Sequence, residues 1–213
     1  MTFIRNRQRL LTRRLFFAVG LATLVAASFA QPPASFSDET PSPGVWPGRV
    51  FEWYYNPEHV PSWLGAEEAR LLVQEAAKSW EACGLRMAYQ GETQRTPGQM
   101  DRRNVVGWSM QIPKRVRGMT VGQAKDGRLL ERDVLIRPDR REFERFPRLL
   151  RKVILHEFGH AIGLTHSNRC DDVMTLAADC PPRHPNQLPV APTENDLARC
   201  RSLYPPGNEI QSR

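Results

Sequence analysis

HEFGHAIGLTH, from His156 to His166, is the stretch that decides how this chain is read. On an α-helix, residues four apart stand one turn above each other, so His156 and His160 aim their imidazoles at one point, and that point suits a metal ion. Glu157 lies beside that face, placed to reach a water on the metal rather than the metal itself, and would serve as a base. Gly163, lacking a side chain, takes the left-handed conformation that ends a helix, and the turn brings His166 back as third ligand. Further up the helix, Arg148 and Lys152 continue the histidine row. Leu150, Ile154, Phe158 and Ile162, joined by Leu149 and Val153, form the apolar row. A histidine face that is polar cannot be buried in apolar packing, which favours ligation over a purely structural role.

The spacing is H-E-x-x-H-x-x-G-x-x-H with every fixed position filled, and through it the chain resembles the metzincin clan of zinc metallopeptidases. Met174, in CDDVMTL, matches the methionine that the clan carries in a tight turn beneath the metal. Ser167, directly after the third histidine, resembles the matrixin branch; Leu176 stands where other branches carry a tyrosine. The resemblance implies an α+β metzincin fold: a twisted five-stranded mixed sheet with three helices, one of them the active-site helix, and a Met-turn. It also implies one catalytic Zn2+ on His156, His160 and His166, with Glu157 as the catalytic general base for hydrolysis of a peptide or protein substrate. Matrixins usually hold a second, structural zinc through histidines and an aspartate. Residues 91 to 155 contain no histidine, so a structural zinc is not expected. Calcium stays undecided, since no dense acidic loop of the calcium-binding kind is present. No cysteine precedes Cys83, so latency through a propeptide cysteine is not expected either. The alternative reading is a non-catalytic, metzincin-like module that holds a peptide or partner protein. The presence of Glu157 argues for the enzyme, because a binding module has no need of a base there.

The 213 residues suit one domain with a sizeable core. The formal charge of +7 hints at nucleic acid, but Arg5, Arg7, Arg9, Arg13 and Arg14 supply five of those charges in an acid-free leader and leave +2 for the rest. A nucleic-acid partner is therefore not expected. Residues 1–30 read as a secretory signal peptide: a basic start, an apolar run from Leu15 to Phe29, and Ser28 and Ala30 before a cleavage point. The run is interrupted by Gly20 and Thr23 and falls short of the roughly 20 residues a spanning helix needs, so no stable membrane span is expected after cleavage. Thr12-Arg13-Arg14-Leu15-Phe16-Phe17 also resembles the twin-arginine export motif, and an ordinary basic leader fits it equally. The mature protein is expected to be secreted or periplasmic and monomeric. Cys83, Cys170, Cys180 and Cys200 all follow the leader and imply two disulfides. Three pairings exist. The preferred one closes a short loop with Cys170–Cys180 around the methionine turn and joins Cys83, at a helix end, to Cys200.

Residues 31–48 read as a Pro-rich linker that packs little, 49–206 as the matrixin-like catalytic domain, and 207–213 as a flexible tail. Within the domain, RVFEWYYN, Arg49 to Asn56, predicts a strand with its aromatics in the core. A helix follows from Ala66 to about Ala82, with Ala69, Leu72, Val73, Ala76 and Trp80 at helical spacing. Further strands are expected at Met87–Tyr89, Asn104–Gln111, Met119–Lys125 and Asp133–Arg137, with a tight turn at Asp126-Gly127. The active-site helix begins after Pro147. Thr193 and Asp196 have capping-box spacing for a last helix through Leu203. If the family likeness holds, Met119–Lys125 is the antiparallel edge strand that pairs with extended substrate, and the loop Thr175–Pro192 walls the main specificity pocket. His59 and His184, in loop-like sequence beside prolines, read as surface residues.

Overall fold

Alternation of large apolar side chains makes Val50–Asn56 (β1) the spine of the domain: Phe51, Trp53 and Tyr55 turn to one face and are fully buried there. The computed structural model describes residues 43–176, 180–181 and 183–205. The expected signal peptide, residues 31–42 of the expected linker and the expected tail lie outside them. After β1 come α1 (Ala66–Ser79), β2 (Arg86–Glu92), β3 (Val105–Trp108), β4 (Gly118–Lys125) and β5 (Arg128–Ile136). The chain closes with α2 (Arg141–Arg145), α3 (Pro147–Ala161) and α4 (Glu194–Leu203). The five strands lie in the order β2-β1-β3-β5-β4, parallel throughout except for the antiparallel pair β4–β5, so β4 is an outer strand. This is the expected α+β fold with a mixed five-stranded sheet. No helix of the described residues is long and apolar enough to cross a membrane.

The aromatic face of β1 locates the active-site helix. Phe158 of α3 meets Trp53 and Phe51 edge-on, with ring centroids 5.5 and 6.5 Å apart, and such edge contacts add about 0.5–1.5 kcal/mol to the area they bury. Trp80, at the end of α1, donates its indole N–H to the carbonyl of Leu155 at 3.1 Å and ties α1 to α3. The disulfides are Cys83–Cys200, which joins the end of α1 to α4, and Cys170–Cys180, the preferred pairing. The capping box of α4 is formed as its spacing predicts, Thr193 and Asp196 exchanging side-chain-to-backbone hydrogen bonds. His59 and His184 are exposed, as read from the sequence.

Three features differ from the sequence reading. The stretch 43–48, expected as part of a linker that packs little, belongs to the domain. Trp46 is 7% exposed and joins the core, and Val45 bridges to Arg128 at the start of β5. One indole buries enough apolar area to offset the ordering of a few proline-flanked residues. Second, β5 begins at Arg128, immediately after the turn, rather than at Asp133; Asp126 and Gly127 both have positive φ, the hairpin geometry that Asp-Gly favours. The missed half contains Glu131 and Arg132, which are buried like Asp133, where the expected strand begins. Glu131 accepts the backbone N–H of Asp101 and Arg102, and Asp133 those of Gly98 and Val105, so these acids pin the loop between β2 and β3 onto the sheet. Third, the charged run REFER forms the short helix α2, anchored by the fully buried Phe143.

Candidate metal centre

Pro147 opens α3, where its missing N–H costs nothing, and Gly163 closes it with φ 96°. Every orphan carbonyl of the last turn finds a donor, three of them within the closing turn. Ile162 N–H bonds Phe158 O, Leu164 N–H bonds Gly159 O, and Gly163 N–H bonds His160 O, at 2.9–3.0 Å. The two remaining carbonyls are taken by distant side chains: Trp46 Nε1 donates to Ala161 O and Tyr204 Oη to Ile162 O, both at 2.8 Å. A β-carbon on Gly163 would stand 2.1 Å from the Gly44 carbonyl oxygen, so conformation and space both require glycine there. Sharp reversal at this point is what returns His166 to the helix face.

The three histidines that the sequence singles out are brought together. His160 Nε2 lies 3.1 Å from His156 Nε2 and 3.2 Å from His166 Nε2, and the ligand atoms of all three fall within 4.8 Å of one another. The opposite ring nitrogens settle the tautomers. His156 Nδ1 faces Val173 O and His160 Nδ1 faces Leu164 O, each at 2.8 Å, and a carbonyl only accepts. Nδ1 therefore carries the proton in both rings and Nε2 presents a lone pair inward. Lone pairs this close repel unless a cation sits among them. Tetrahedral zinc with bonds of about 2.0–2.1 Å separates its ligand nitrogens by about 3.3–3.4 Å, close to the spacing present here, so the donor set fits that ion. Burial, reinforced by the neighbouring His160 and Lys152, holds His156 well below the usual histidine range, and burial brings His160 down to about 4. Neutral rings are what a metal ligand requires.

Glu157 is buried beside the triad on α3. The Thr120 hydroxyl of β4 lies 2.9 Å from its Oε2 and 2.8 Å from its backbone carbonyl, and one hydroxyl proton serves one of them at a time. Met174 is fully buried beneath the helix, where its sulfur occupies the space that a β-carbon on Gly159 would need.

Against this geometry stands one sequence finding: the family model described as Matrixin, of the peptidases, matches residues 75–205, more than half of the chain. The chain belongs to the matrixin family. No curated protein matches it. Among solved structures, a chain of the GM1-bound form of the ECX AB5 holotoxin aligns with this matrixin at a TM-score of 0.51 and 16% identity, covering 73% of this chain and 80% of that one. At that identity the likeness is one of fold.

Several supports of the matrixin site are not singled out by the sequence reading. Asp196 does more than cap α4: its carboxylate accepts the N–H of Val173 at 2.8 Å and of Met174 at 3.3 Å, so the same turn whose Val173 carbonyl orients His156 hangs from α4. Asp172 gathers the hydroxyls of Ser167 and Thr193 and the amide of Asn195. Arg199 of α4 donates to the carbonyls of Thr165 and His166 and steadies the third histidine. The capping-box spacing was the one signal that pointed to Asp196. Nothing local marks Thr120, Arg199, Trp46 or Tyr204.

Proposed function

We propose that this matrixin is an exported, zinc-dependent endopeptidase. The observation that carries the reading is the convergence of three Nε2 lone pairs, two of them fixed by backbone carbonyls on the far side of the ring, next to a buried carboxylate. His156, His160 and His166 would hold the ion, which when bound supplies a Lewis acid and an acidified water. Glu157 takes the proton of the attacking water at its carboxylate and returns it to the departing amine, so one group serves as base and then acid. The Thr120 hydroxyl orients that carboxylate. The outer strand β4 offers unpaired backbone groups to an extended peptide, which explains binding without naming a sequence preference. Two disulfides suit an oxidising compartment outside the cytosol, in keeping with the signal peptide read in residues 1–30.

The test is cleavage of denatured casein by the zinc-loaded protein, by the same protein after chelation, and by Glu157→Gln. The expected result is cleavage that chelation abolishes and zinc restores. Glu157→Gln should keep its zinc and lose about 100- to 10,000-fold in rate, the usual worth of a positioned base. A Gln variant with near-normal activity would refute the role of Glu157. Zinc-loaded wild-type protein that binds peptides without cutting them would instead establish the binding module.

A further inference from the structure

Beyond the leader, the positive charge of this chain is gathered in one place. Of the formal +7, residues 1–42 hold five arginines against two acids and residues 206–213 balance, so +4 falls on residues 43–205. Two short segments account for all of it. Residues 113–117, between β3 and β4, carry Lys114, Arg115 and Arg117 and no acid; residues 137–145, which include α2, carry four arginines against three acids. The fold holds the two segments side by side. Arg137 donates its backbone N–H to Arg117 O at 2.9 Å and its guanidinium to Ile112 O. Arg140 donates to Val116 O at 3.2 Å, and Arg117 pairs with Glu142 at 3.2 Å. Fully buried Phe143 anchors α2 beneath them.

Within this surface the acids are mostly engaged and the cations mostly are not. Asp139 is taken by Arg137, and Glu142 by Arg117 and Arg140. Lys114, Arg115, Arg141 and Arg145 are exposed, as is Glu144, and among the described residues none of these five has an ion-pair partner. Backbone carbonyls thus hold together cations that repel one another, a cost that an anionic partner offsets. The position of the surface says which partner. Arg117 directly precedes β4, and a β-carbon on Gly118, the first residue of β4, would lie 2.8 Å from Glu157 Cγ. A peptide paired along β4 that continues past Gly118, at about 3.3 Å per residue, reaches residues 113–117 within a few residues of the bond being cut. An anionic bilayer is a poorer match. Leu71, Met100, Met110 and Leu130 are the exposed large apolar side chains among the described residues, and neither segment contains one to enter a lipid interface.

We infer that residues 113–117 and 137–145 form an exosite, a basic surface that captures an acidic stretch of the substrate protein a few residues away from the scissile bond. This rests on the endopeptidase reading above. Carboxylates there pair with the cations that the fold leaves without counter-ions. The contacts are the same before and at the transition state, so they lower KM and leave kcat unchanged.

The probe is a casein-derived peptide extended, on either side, by a block of Glu or a matched block of Gln. With the zinc-loaded protein at low salt, the Glu block on one side should lower KM about 10-fold with kcat unchanged, the range expected of a few exposed ion pairs. The advantage should vanish near about 0.5 M salt. Lys114→Glu, Arg115→Glu and Arg141→Glu together should erase or invert the preference and leave cleavage of the Gln-block peptide unchanged. Each ratio compares two substrates on one preparation, so a partly folded variant still reads it, and the salt series needs no variant. Titrating the labelled peptides into Glu157→Gln reads binding without cleavage. Tighter binding of the Glu block supports the exosite even where the wild-type protein cuts neither peptide, a result that would end the endopeptidase reading alone. Equal KM and equal binding for the two blocks, or a Glu preference that survives the charge reversal, overturns the exosite and leaves the endopeptidase reading standing. Sedimentation of the wild type, and not of the reversed variant, with phosphatidylglycerol vesicles in place of any Glu preference would assign the surface to a membrane and overturn it as well.

Discussion

Gly159→Ala sets two effects of opposite sign against each other, and the structure decides between them. In an isolated helix the change gains about 1 kcal/mol, because glycine is the poorer helix former. Here the added β-carbon would sit 2.1 Å from Met174 Sδ, 3.0 Å from Met174 Cε and 3.1 Å from Trp80 Cζ2. Relaxed contacts lie near 3.5–4.0 Å, so the sulfur must retreat by roughly 1.5 Å. Methionine is adaptable, but this one is fully buried, its N–H is held by Asp196, and its carbonyl accepts from Ser167 N–H. Trp80 is fixed through the Leu155 carbonyl. Overpacking costs about 1–3 kcal/mol, and a clash this close with fixed neighbours belongs in the upper part of that range, about 2–3, so after the helix gain a net loss of about 1–2 kcal/mol is expected, or roughly 2–8 °C in Tm. Displacing the turn also moves the Val173 carbonyl that orients His156, and zinc affinity should drop about 10-fold. Urea unfolding and competition with a zinc chelator measure the two losses. Gly159→Ala combined with Met174→Ala should lose less than the two changes summed, because the shorter side chain makes room for the methyl group. A Gly159→Ala protein as stable as wild type, with unchanged zinc affinity, would refute the reasoning.

Two further predictions concern stability, alongside the Glu157 experiment. Cys83–Cys200 spans 117 residues and Cys170–Cys180 spans 10. On the chain-entropy account, replacing the first pair by serine should cost about 5 kcal/mol and the second about 3, and urea midpoints that reverse the order would sink that account. Burial pushes the Asp133 carboxyl from 3.8 up to about 7. The folded chain then keeps a proton that the unfolded chain has already released, so this group's contribution is fully present below about pH 4 and is lost as pH rises through 7. The stability of wild type relative to Asp133→Asn should accordingly fall across that window; a rise would mean a depressed carboxylate instead.

Local spacing made the centre of the site legible. His156 and His160 share a helix face because they are four apart, Gly163 announces the turn, and Thr193 with Asp196 announces the last helix; each is a relation among neighbours, which the backbone period converts directly into geometry. The strand Arg49–Asn56 and the fold class were readable for the same reason. What could not be read were partnerships formed across the fold. Trp46 meets the carbonyl of Ala161 from 115 positions away, and a backbone carbonyl looks alike at every residue, so no pattern announces which indole will find it. Nor does any local pattern announce that Glu131 and Asp133 are buried, because the loop amides that make their burial tolerable come from about 30 positions away. Sequence alone determined which side chains could ligate and where the helix must stop. Tertiary structure decided which ring nitrogen faces inward, through the carbonyls of Val173 and Leu164, because tautomer depends on what other segments bring within hydrogen-bonding reach.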